Sequence, residues 1–271
     1  MATSFDPSAF QALPAVLRPW ASLAQRAGNE VMAVYARPIT VHGKADDSPV
    51  TEADWRAEAV ILKGLAELAP GAVVVAEEAM AAGQGPRVLD LGRPFWLVDP
   101  LDGTREFIGR NGEFTVNIAL VEHGEPVLGV VLAPAQGPFG RLFAGARGEG
   151  AWVVDEQGAR RIACRRPPAE GLTVVASRSH GDPAAVQAFL DGRRVARQVA
   201  AGSSLKLCLL AAGEADLYPR FGRTMEWDIA AGHAVLAAAG GRVDTLDGAP
   251  LRYGKPGFEN PDFVASGLPP A

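Results

Sequence analysis

The sequence predicts a protein of mixed α and β structure in two parts, an N-terminal α+β domain and a C-terminal α/β domain. Residues 1–166 contain helical stretches followed by several short strands in succession, a pattern typical of an antiparallel sheet. Residues 167–271 alternate between strand and helix, which is typical of an α/β unit. The pattern changes at Pro167 and Pro168, and we place the domain boundary there.

Composition excludes several classes of function. The chain has 271 residues, 48% of them hydrophobic, so it can bury one large core or two modest ones. The net charge is −5 without a basic cluster, which argues against a nucleic-acid partner. No apolar run is long enough to span a bilayer, and the first ten residues lack a signal-peptide pattern. We expect a cytoplasmic protein, leaving weak peripheral membrane association and oligomeric state open.

The chain begins with two helical patterns. Residues 8–37 have helical periodicity, and Pro14 and Pro19 predict a late start or a kink. A polar segment then leads into a second helical pattern that ends at Leu68. Thr51 and Asp54 have the spacing of a helix N-terminal capping box, which is the interpretation that the local sequence favours. The alternative is that Asp54 orients a functional group at that helix start.

Two short apolar strands in this half each end in acidic residues. Residues 73–76 are followed by Glu77 and Glu78, and residues 95–98 by Asp99. Pro100 has no N–H to donate, so we expect the second strand to end there.

Asp102 lies three residues beyond Asp99, across a predicted turn. The two carboxylates can converge, with the Leu101 carbonyl between them, and they repel unless a cation joins them. Mg²⁺ binds one or two carboxylates and is completed by water and substrate phosphate oxygens, so a magnesium site is the leading interpretation. Gly103 and Thr104 then open a short helical turn whose free N–H groups suit a phosphate. The alternative is an ordinary turn, because Asp, Pro and Gly are common turn residues.

The middle of the chain predicts a hairpin and further strands. Residues 114–121 and 126–132 flank His123 and Gly124, which is a hairpin pattern. Later strands extend the antiparallel sheet; they are residues 141–143, 151–154 and 160–164.

The C-terminal part alternates strand and helix. The predicted strands are residues 172–176, 195–199 and 215–218, and the predicted helices are residues 183–190, 204–212 and 229–239. Ligands of such sheets bind beyond the strand ends, where residues 177–180 and 202–204 fall. Asp228 precedes the last predicted helix and either caps it or supplies a third carboxylate to the acidic site. The four histidines and two cysteines have no metal-ligand spacing, and no nucleophilic triad is evident.

Three segments together resemble the signatures of the magnesium-dependent, lithium-sensitive inositol monophosphatase superfamily. They are residues 77–78, 96–104 and 227–232. Other segments resemble the bacterial 3′(2′),5′-bisphosphate nucleotidase branch; they are residues 44–54, 110–120, 177–180, 202–206, 218–222 and 260–263. The similarity covers nearly the whole chain in order. Arg105, where the branch commonly has lysine, and Ala76, where it has a small polar residue, depart from the pattern.

The resemblance implies a layered αβαβα sandwich with the active site between the two domains and two or three Mg²⁺ ions. The implied ligands of one ion are Glu77, Asp99 and the Leu101 carbonyl, and those of a second are Asp99, Asp102 and Asp228. Asp54 and Thr104 resemble the pair that positions and deprotonates the attacking water. The implied substrate-binding residues are Gly103, Thr104, Arg105, His180, Ser203, Lys206, Arg220 and Asp228.

The implied reaction is hydrolysis of the 3′-phosphate of adenosine 3′,5′-bisphosphate to AMP and phosphate, in the setting of sulfate assimilation. It would proceed by in-line attack of a metal-activated water. Lys206 and Arg220 suit a second phosphate; the alternative is that they are ordinary surface cations. An inositol or histidinol phosphate monoesterase is the nearest rival function. A non-catalytic nucleotide or metal sensor is the rival from another class.

Overall fold

The computed structural model describes residues 7–43, 49–86, 89–177 and 181–269. Seven α-helices are present in these ranges: α1 (Arg18–Tyr35), α2 (Glu52–Leu68), α3 (Glu77–Ala81), α4 (Thr104–Ile108), α5 (Pro183–Leu190), α6 (Leu205–Ala211) and α7 (Glu226–Ala238). Short 3₁₀ helices span Pro7–Ala12 and Pro256–Phe258.

The strands comprise two large sheets and two short pairs. In chain order they are β1 (Val41–Gly43), β2 (Pro49–Thr51), β3 (Val73–Ala76), β4 (Phe95–Asp102), β5 (Thr115–Glu122), β6 (Glu125–Ala133), β7 (Arg141–Ala146), β8 (Gly150–Asp155), β9 (Gly158–Ile162), β10 (Leu172–Ser177), β11 (Val195–Ala201), β12 (Leu217–Arg220), β13 (Thr224–Met225), β14 (Arg242–Thr245), β15 (Glu259–Asn260) and β16 (Phe263–Ser266). The short pairs are β1 with β2 and β13 with β15.

The first large sheet has seven strands in the order β3-β4-β5-β6-β7-β8-β9. β3 and β4 are parallel and the other pairs are antiparallel. β5 and β6 are joined by His123 and Gly124, both with positive φ, which matches the twist of a two-residue hairpin. This hairpin was predicted from the sequence.

Helices cover both faces of the seven-stranded sheet, because successive strand residues point to opposite sides. Val98 and Ile118 face the α1/α2 side, where they share a core with Leu23 and Ile61. Leu97, Ala119 and Val131 face the other side and pack with residues of α6 and α7. Asp99 follows the alternation of Leu97, so it belongs to the face that α6 and α7 cover.

Two glycines allow α7 to approach this sheet closely. A Cβ on Gly129 of β6 would lie 2.3 Å from the Ala231 carbonyl oxygen, and one on Gly145 of β7 would lie 2.9 Å from the Cα of Val235. Neither position has room for a larger side chain unless the helix shifts. The close contact fixes the height of α7 above the sheet, and with it the position of Asp228 in the first turn.

The second large sheet completes the layers. It has five strands in the order β11-β10-β12-β16-β14, parallel around β10 and antiparallel elsewhere. One face packs with α6 and α7 through residues such as Val175, and the other packs Val174 and Leu217 against α5. The layers therefore run α1/α2, sheet, α6/α7, sheet, α5, which confirms the αβαβα sandwich.

Some predicted boundaries were wrong. β4 does not end before Pro100 but continues to Asp102 across a shift of register between Asp99 and Asp102, which accommodates the proline. α7 begins at Glu226, three residues earlier than predicted, so Asp228 lies inside the first helical turn. The late start of the first helix was confirmed, because residues 8–37 are divided into a 3₁₀ helix and α1, with Pro19 in the first turn of α1.

The sheets change over between Ile162 and Leu172, around Pro167 and Pro168. α7 nevertheless comes from the C-terminal part and packs on the N-terminal sheet. The division into residues 1–166 and 167–271 stays a prediction. Among the described residues, the helices are all too short or too polar to cross a membrane.

Candidate active site

Five carboxylates line one cavity of about 350 Å³: Glu106 and the four predicted acidic metal ligands, which come from three separate parts of the chain. Glu77 is the first residue of α3, Asp99 and Asp102 lie at the end of β4, and Asp228 lies in the first turn of α7. Carboxylate oxygens of Glu77, Asp99 and Asp228 lie within 4.8 Å of one another. The structure thus brings together the four acids that the sequence analysis assigned to metal binding.

The carboxylates of the acidic cluster lie close to one another, and both burial and mutual repulsion disfavour the ionised forms of Asp99 and Asp228. Burial raises the pKa of Asp99 well above its usual range, and the nearby charges of Glu77, Asp102 and Asp228 raise it further. Burial and the charges of Asp102 and Glu77 likewise raise the pKa of Asp228. Carboxylates this close cannot all be ionised unless a cation joins them. Oxygen ligands of this kind fit a hard divalent cation.

The irregular end of β4 shapes the site locally. The Leu101 N–H donates to Asp99 Oδ1 over 3.0 Å, within the irregular part of the strand that contains the proline. The Leu101 carbonyl accepts from Thr104 Oγ1 over 3.3 Å. Gly103 has a φ of 88°, a left-handed conformation that suits glycine, and it leads into α4. Residues 101–106 all line the cavity.

Asp54 sits in the predicted capping box. Its Oδ2 accepts from both the N–H and the Oγ1 of Thr51 over 2.8 Å, and Thr51 Oγ1 accepts from the Ala53 N–H over 3.2 Å. Both Asp54 and Thr51 are buried. The described residues that line the cavity include Pro49 of the same strand as Thr51, but not Asp54 itself.

Ser203 contacts a predicted metal ligand. Its Oγ donates to Asp102 Oδ2 over 2.8 Å and also contacts Thr115 Oγ1. Its backbone has a φ of 54°, an uncommon conformation for a residue with a side chain. The Ser203 carbonyl accepts from Lys206 Nζ over 2.6 Å. Burial raises the pKa of Asp102, whereas Lys206 and the Ser203 hydrogen bond act against that rise.

Lys206 and Arg220 are buried cations beside the carboxylates. Their exposed fractions are 7% and 8%, and both line the cavity, so the interpretation of them as ordinary surface cations was wrong. Burial lowers the pKa of Lys206 to about 8, and Arg220 adds to the effect, while Asp102 opposes it. Arg220 Nη2 donates to the Arg223 carbonyl over 3.0 Å. A negatively charged ligand would stabilise both cations.

A neighbouring cavity of about 380 Å³ shares Arg220 and Ser177 with the first. Its lining also includes Pro219, Phe221 and Val186, which make it partly apolar. His180, a predicted substrate-binding residue, lies outside the described residues. Gly103, Thr104 and Arg105 all line the first cavity, as predicted substrate-binding residues should.

Sequence reasoning did not single out three polar residues behind the site. Thr115 contacts Ser203, and Glu113 Oε2 accepts from the Gly202 N–H over 2.8 Å, so both support the segment that holds Asp102. Asn117 is fully buried on β5, directly opposite Asp99 of β4. Among the described residues, neither amide atom of Asn117 has a hydrogen-bond partner. Only the register between β4 and β5 shows that Asn117 lies beside Asp99, and no local sequence pattern predicts that register.

The chain matches known proteins along most of its length. The model of the inositol monophosphatase family matches residues 15–266. A Shigella flexneri protein named 3′(2′),5′-bisphosphate nucleotidase CysQ is 48% identical over 247 residues, covering 90% of this chain and 96% of the relative. The Escherichia coli K12 protein of that name is 48% identical over 250 residues, with the same two coverages.

Solved structures of the same family are also similar to this chain. The crystal structure of CysQ from Bacteroides thetaiotaomicron, described as a bacterial member of the inositol monophosphatase family, has a TM-score of 0.74 and 36% identity. The match covers 92% of this chain and 96% of that one. An IMPase from Thermotoga maritima also has a TM-score of 0.74, at 26% identity, covering 93% of this chain and 91% of that one.

Proposed function

The chain belongs to the inositol monophosphatase family, and from that premise we propose that it is a metal-dependent 3′(2′),5′-bisphosphate nucleotidase. Its relatives named for this activity are 48% identical over 90% of the chain. The observation that carries the proposal is the meeting of Glu77, Asp99 and Asp228 within 4.8 Å, in one cavity with Lys206 and Arg220. Carboxylates suit the metal and the cations suit a second phosphate of the substrate.

The donor set fits Mg²⁺. Glu77, Asp99 and the Leu101 carbonyl would hold one ion, and Asp99, Asp102 and Asp228 a second. All five residues line the cavity and all offer hard oxygen atoms. When bound, Mg²⁺ supplies a Lewis acid that lowers the pKa of a water and neutralises charge on the phosphoryl group.

The protein's own groups orient the reaction. Thr104 and Asp54 are the proposed pair that positions the attacking water and takes its proton. β2, which ends at Thr51, contacts α4, which begins at Thr104, and Asp54 lies three residues beyond Thr51 in the first turn of α2. The capping box fixes Asp54 at the start of α2 through its bonds to Thr51. The N–H groups of Gly103 and Thr104 and the Arg105 side chain would contact the phosphoryl oxygens.

The nucleotide itself is recognised by the C-terminal part. Lys206 and Arg220 would bind the 5′-phosphate, because they are buried cations that lie in the same cavity as the acids. The neighbouring, partly apolar cavity that shares Arg220 would take the nucleoside. The proposed substrate is adenosine 3′,5′-bisphosphate, and the products are AMP and phosphate. His180 and Ser203 remain proposed substrate contacts.

Phosphate release tests the proposal. We expect Mg²⁺-dependent turnover of adenosine 3′,5′-bisphosphate at a kcat/KM well above that for inositol 1-phosphate and histidinol phosphate. Asp99→Asn should abolish turnover while circular dichroism shows a folded protein, with the exposed Asp90→Asn as the matched control. Preference for inositol 1-phosphate would instead assign an inositol monophosphatase. Metal or nucleotide binding without phosphate release would indicate a sensor.

A further inference from the structure

Asn117 is a buried polar residue whose environment does not satisfy it. Its exposed fraction is 0%, and among the described residues neither the amide oxygen nor the amide nitrogen has a hydrogen-bond partner. A buried amide without partners has lost its hydrogen bonds to water and gained none in return. Most buried polar side chains in folded proteins are paired, so this exception requires an explanation.

The pairing of the strands places Asn117 beside the acidic cluster. In the β4–β5 ladder, Asn117 lies directly opposite Asp99, so the two side chains are on the same face of the sheet. On β6 the residue opposite Asn117 is Val131, which belongs to the apolar core under α6 and α7. Asn117 therefore has hydrocarbon on one side and a predicted metal ligand on the other.

The Asn117 amide lacks hydrogen-bond partners among the described residues, and the neighbouring Asp99 carboxylate lies close to other negative charges. Asp99 is buried and faces three other negative charges, so its own environment is incomplete unless a hydrated cation is present. An amide supplies a donor that can hold a carboxylate and an acceptor that can receive a hydrogen bond from a water of a hydrated ion. Groups just behind metal ligands commonly orient them in this way.

We propose that Asn117 is a positioning residue of the metal centre, whose amide is satisfied only when Asp99 holds a hydrated divalent cation. The inference rests on the proposed function for the presence of the metal, but it concerns binding and stability rather than turnover. The unpaired amide of Asn117 thus lowers the stability of the metal-free protein and strengthens metal binding. Its removal should weaken metal binding without lowering the stability of the metal-free protein.

The test compares Mg²⁺ and Mn²⁺ binding, by calorimetric titration, with thermal unfolding of the metal-free full chain. In Asn117→Leu, which has the same number and branching of side-chain heavy atoms and is fully apolar, metal affinity should fall by about 10- to 100-fold. The metal-free unfolding temperature should stay level or rise, because an unpaired buried amide has been removed. Asn117→Ser, which keeps a hydroxyl, should recover part of the affinity.

Ile118→Val is the matched control. Ile118 is the next residue on β5 and faces the α1/α2 core, so this variant should unfold at a slightly lower temperature and bind metal as the wild type does. If Asn117→Leu does not fold, Asn117→Ala gives the affinity measurement. Wild-type metal affinity in these apolar variants would overturn the proposal, as would a lower metal-free unfolding temperature in a folded Asn117→Leu.

The experiment also separates this inference from the function. A wild-type protein that binds Mg²⁺ without hydrolysing the nucleotide would contradict the proposed nucleotidase function. The metal affinities of the Asn117 variants would still test the role of Asn117. A wild-type protein that binds neither Mg²⁺ nor Mn²⁺ would overturn both.

Discussion

Ser203 donates a hydrogen bond of 2.8 Å to the carboxylate of Asp102, joining the segment between β11 and α6 to the end of β4. The donor and the acceptor come from the two parts of the chain and are 101 residues apart. Ser203 holds this position in spite of a φ of 54°. Strained backbone of this kind is often found at functional sites, where the surrounding structure maintains it.

The Ser203 hydroxyl should therefore support metal binding. Ser203→Gly accepts the same backbone conformation without strain but removes the hydroxyl, so affinity for Mg²⁺ should fall by about 10-fold or more. The fold should be at least as stable as in the wild type. His123→Gly is the matched control, because His123 has a φ of 52° in the turn between β5 and β6 and is not among the described residues that line the cavity. Calorimetric titration should show unchanged metal affinity for the control; unchanged affinity for Ser203→Gly would exclude the role.

Arg220 should discriminate between nucleotides and sugar phosphates. In Arg220→Met, loss of the proposed charged hydrogen bond to the 5′-phosphate should lower kcat/KM for adenosine 3′,5′-bisphosphate by about 10- to 100-fold. Turnover of a substrate with a single phosphate should change much less. Arg242→Met, at an exposed position on β14, is the control. Equal losses on both kinds of substrate would show that Arg220 supports the site as a whole rather than the second phosphate.

His233 predicts a specific dependence of stability on pH. Its ring is buried in α7, where Nδ1 lies 2.9 Å from the Tyr253 hydroxyl, and burial lowers its pKa to about 3. The folded protein favours the neutral ring, so this contribution to stability is complete above the unfolded pKa of about 6.5. It is lost progressively as the pH falls from there toward the folded pKa.

The measurement is urea unfolding of wild type and His233→Gln at two pH values. Between about pH 7 and about pH 5, the wild type should lose about 2 kcal/mol more of its unfolding free energy than the variant does. Glutamine removes the titration and keeps a group that can bond to Tyr253. Parallel curves for the two proteins would contradict the lowered pKa.

Gly129 should be intolerant of a side chain. In Gly129→Ala the new methyl group would collide with the backbone of α7 at Ala231, with a loss of stability of about 1–3 kcal/mol. Because α7 carries Asp228, metal affinity should fall as well. Gly43→Ala is the control, since a Cβ there would meet no atom within 4 Å. Metal titration and thermal unfolding of both variants would check the prediction, and a Gly129→Ala protein of normal stability and affinity would contradict it.

The parts of the fold that the sequence predicts are those with a local physical cause. Thr51 and Asp54 form the capping box that their spacing indicates, and His123 and Gly124 form the expected hairpin turn. The boundaries that failed depend on tertiary context. β4 passes Pro100 because a bulge absorbs the missing donor, and α7 gains an extra turn because its first residues are buried.

The site was predictable through resemblance rather than through local pattern. Nothing near Asp228 in the sequence indicates that it meets Glu77, about 150 residues earlier; the matching motifs implied that meeting, and the folded chain has it. Asn117 and Ser203 differ from the acidic residues, because their importance depends on features of the folded chain. The importance of Asn117 comes from strand register opposite Asp99, and that of Ser203 from a left-handed backbone, neither of which a single sequence displays.

The placement of α7 has a consequence for how the protein is made. This helix is synthesised late, yet it covers a face of the first large sheet and reaches Gly129 and Gly145. A nascent chain that has emerged only as far as residue 166 would expose this apolar face of the sheet. Aggregation through that face would have to be prevented by a chaperone or by folding of the sheet only after α7 has emerged. Folding of the first large sheet and its acidic site should accordingly be completed only after translation has passed Ala238.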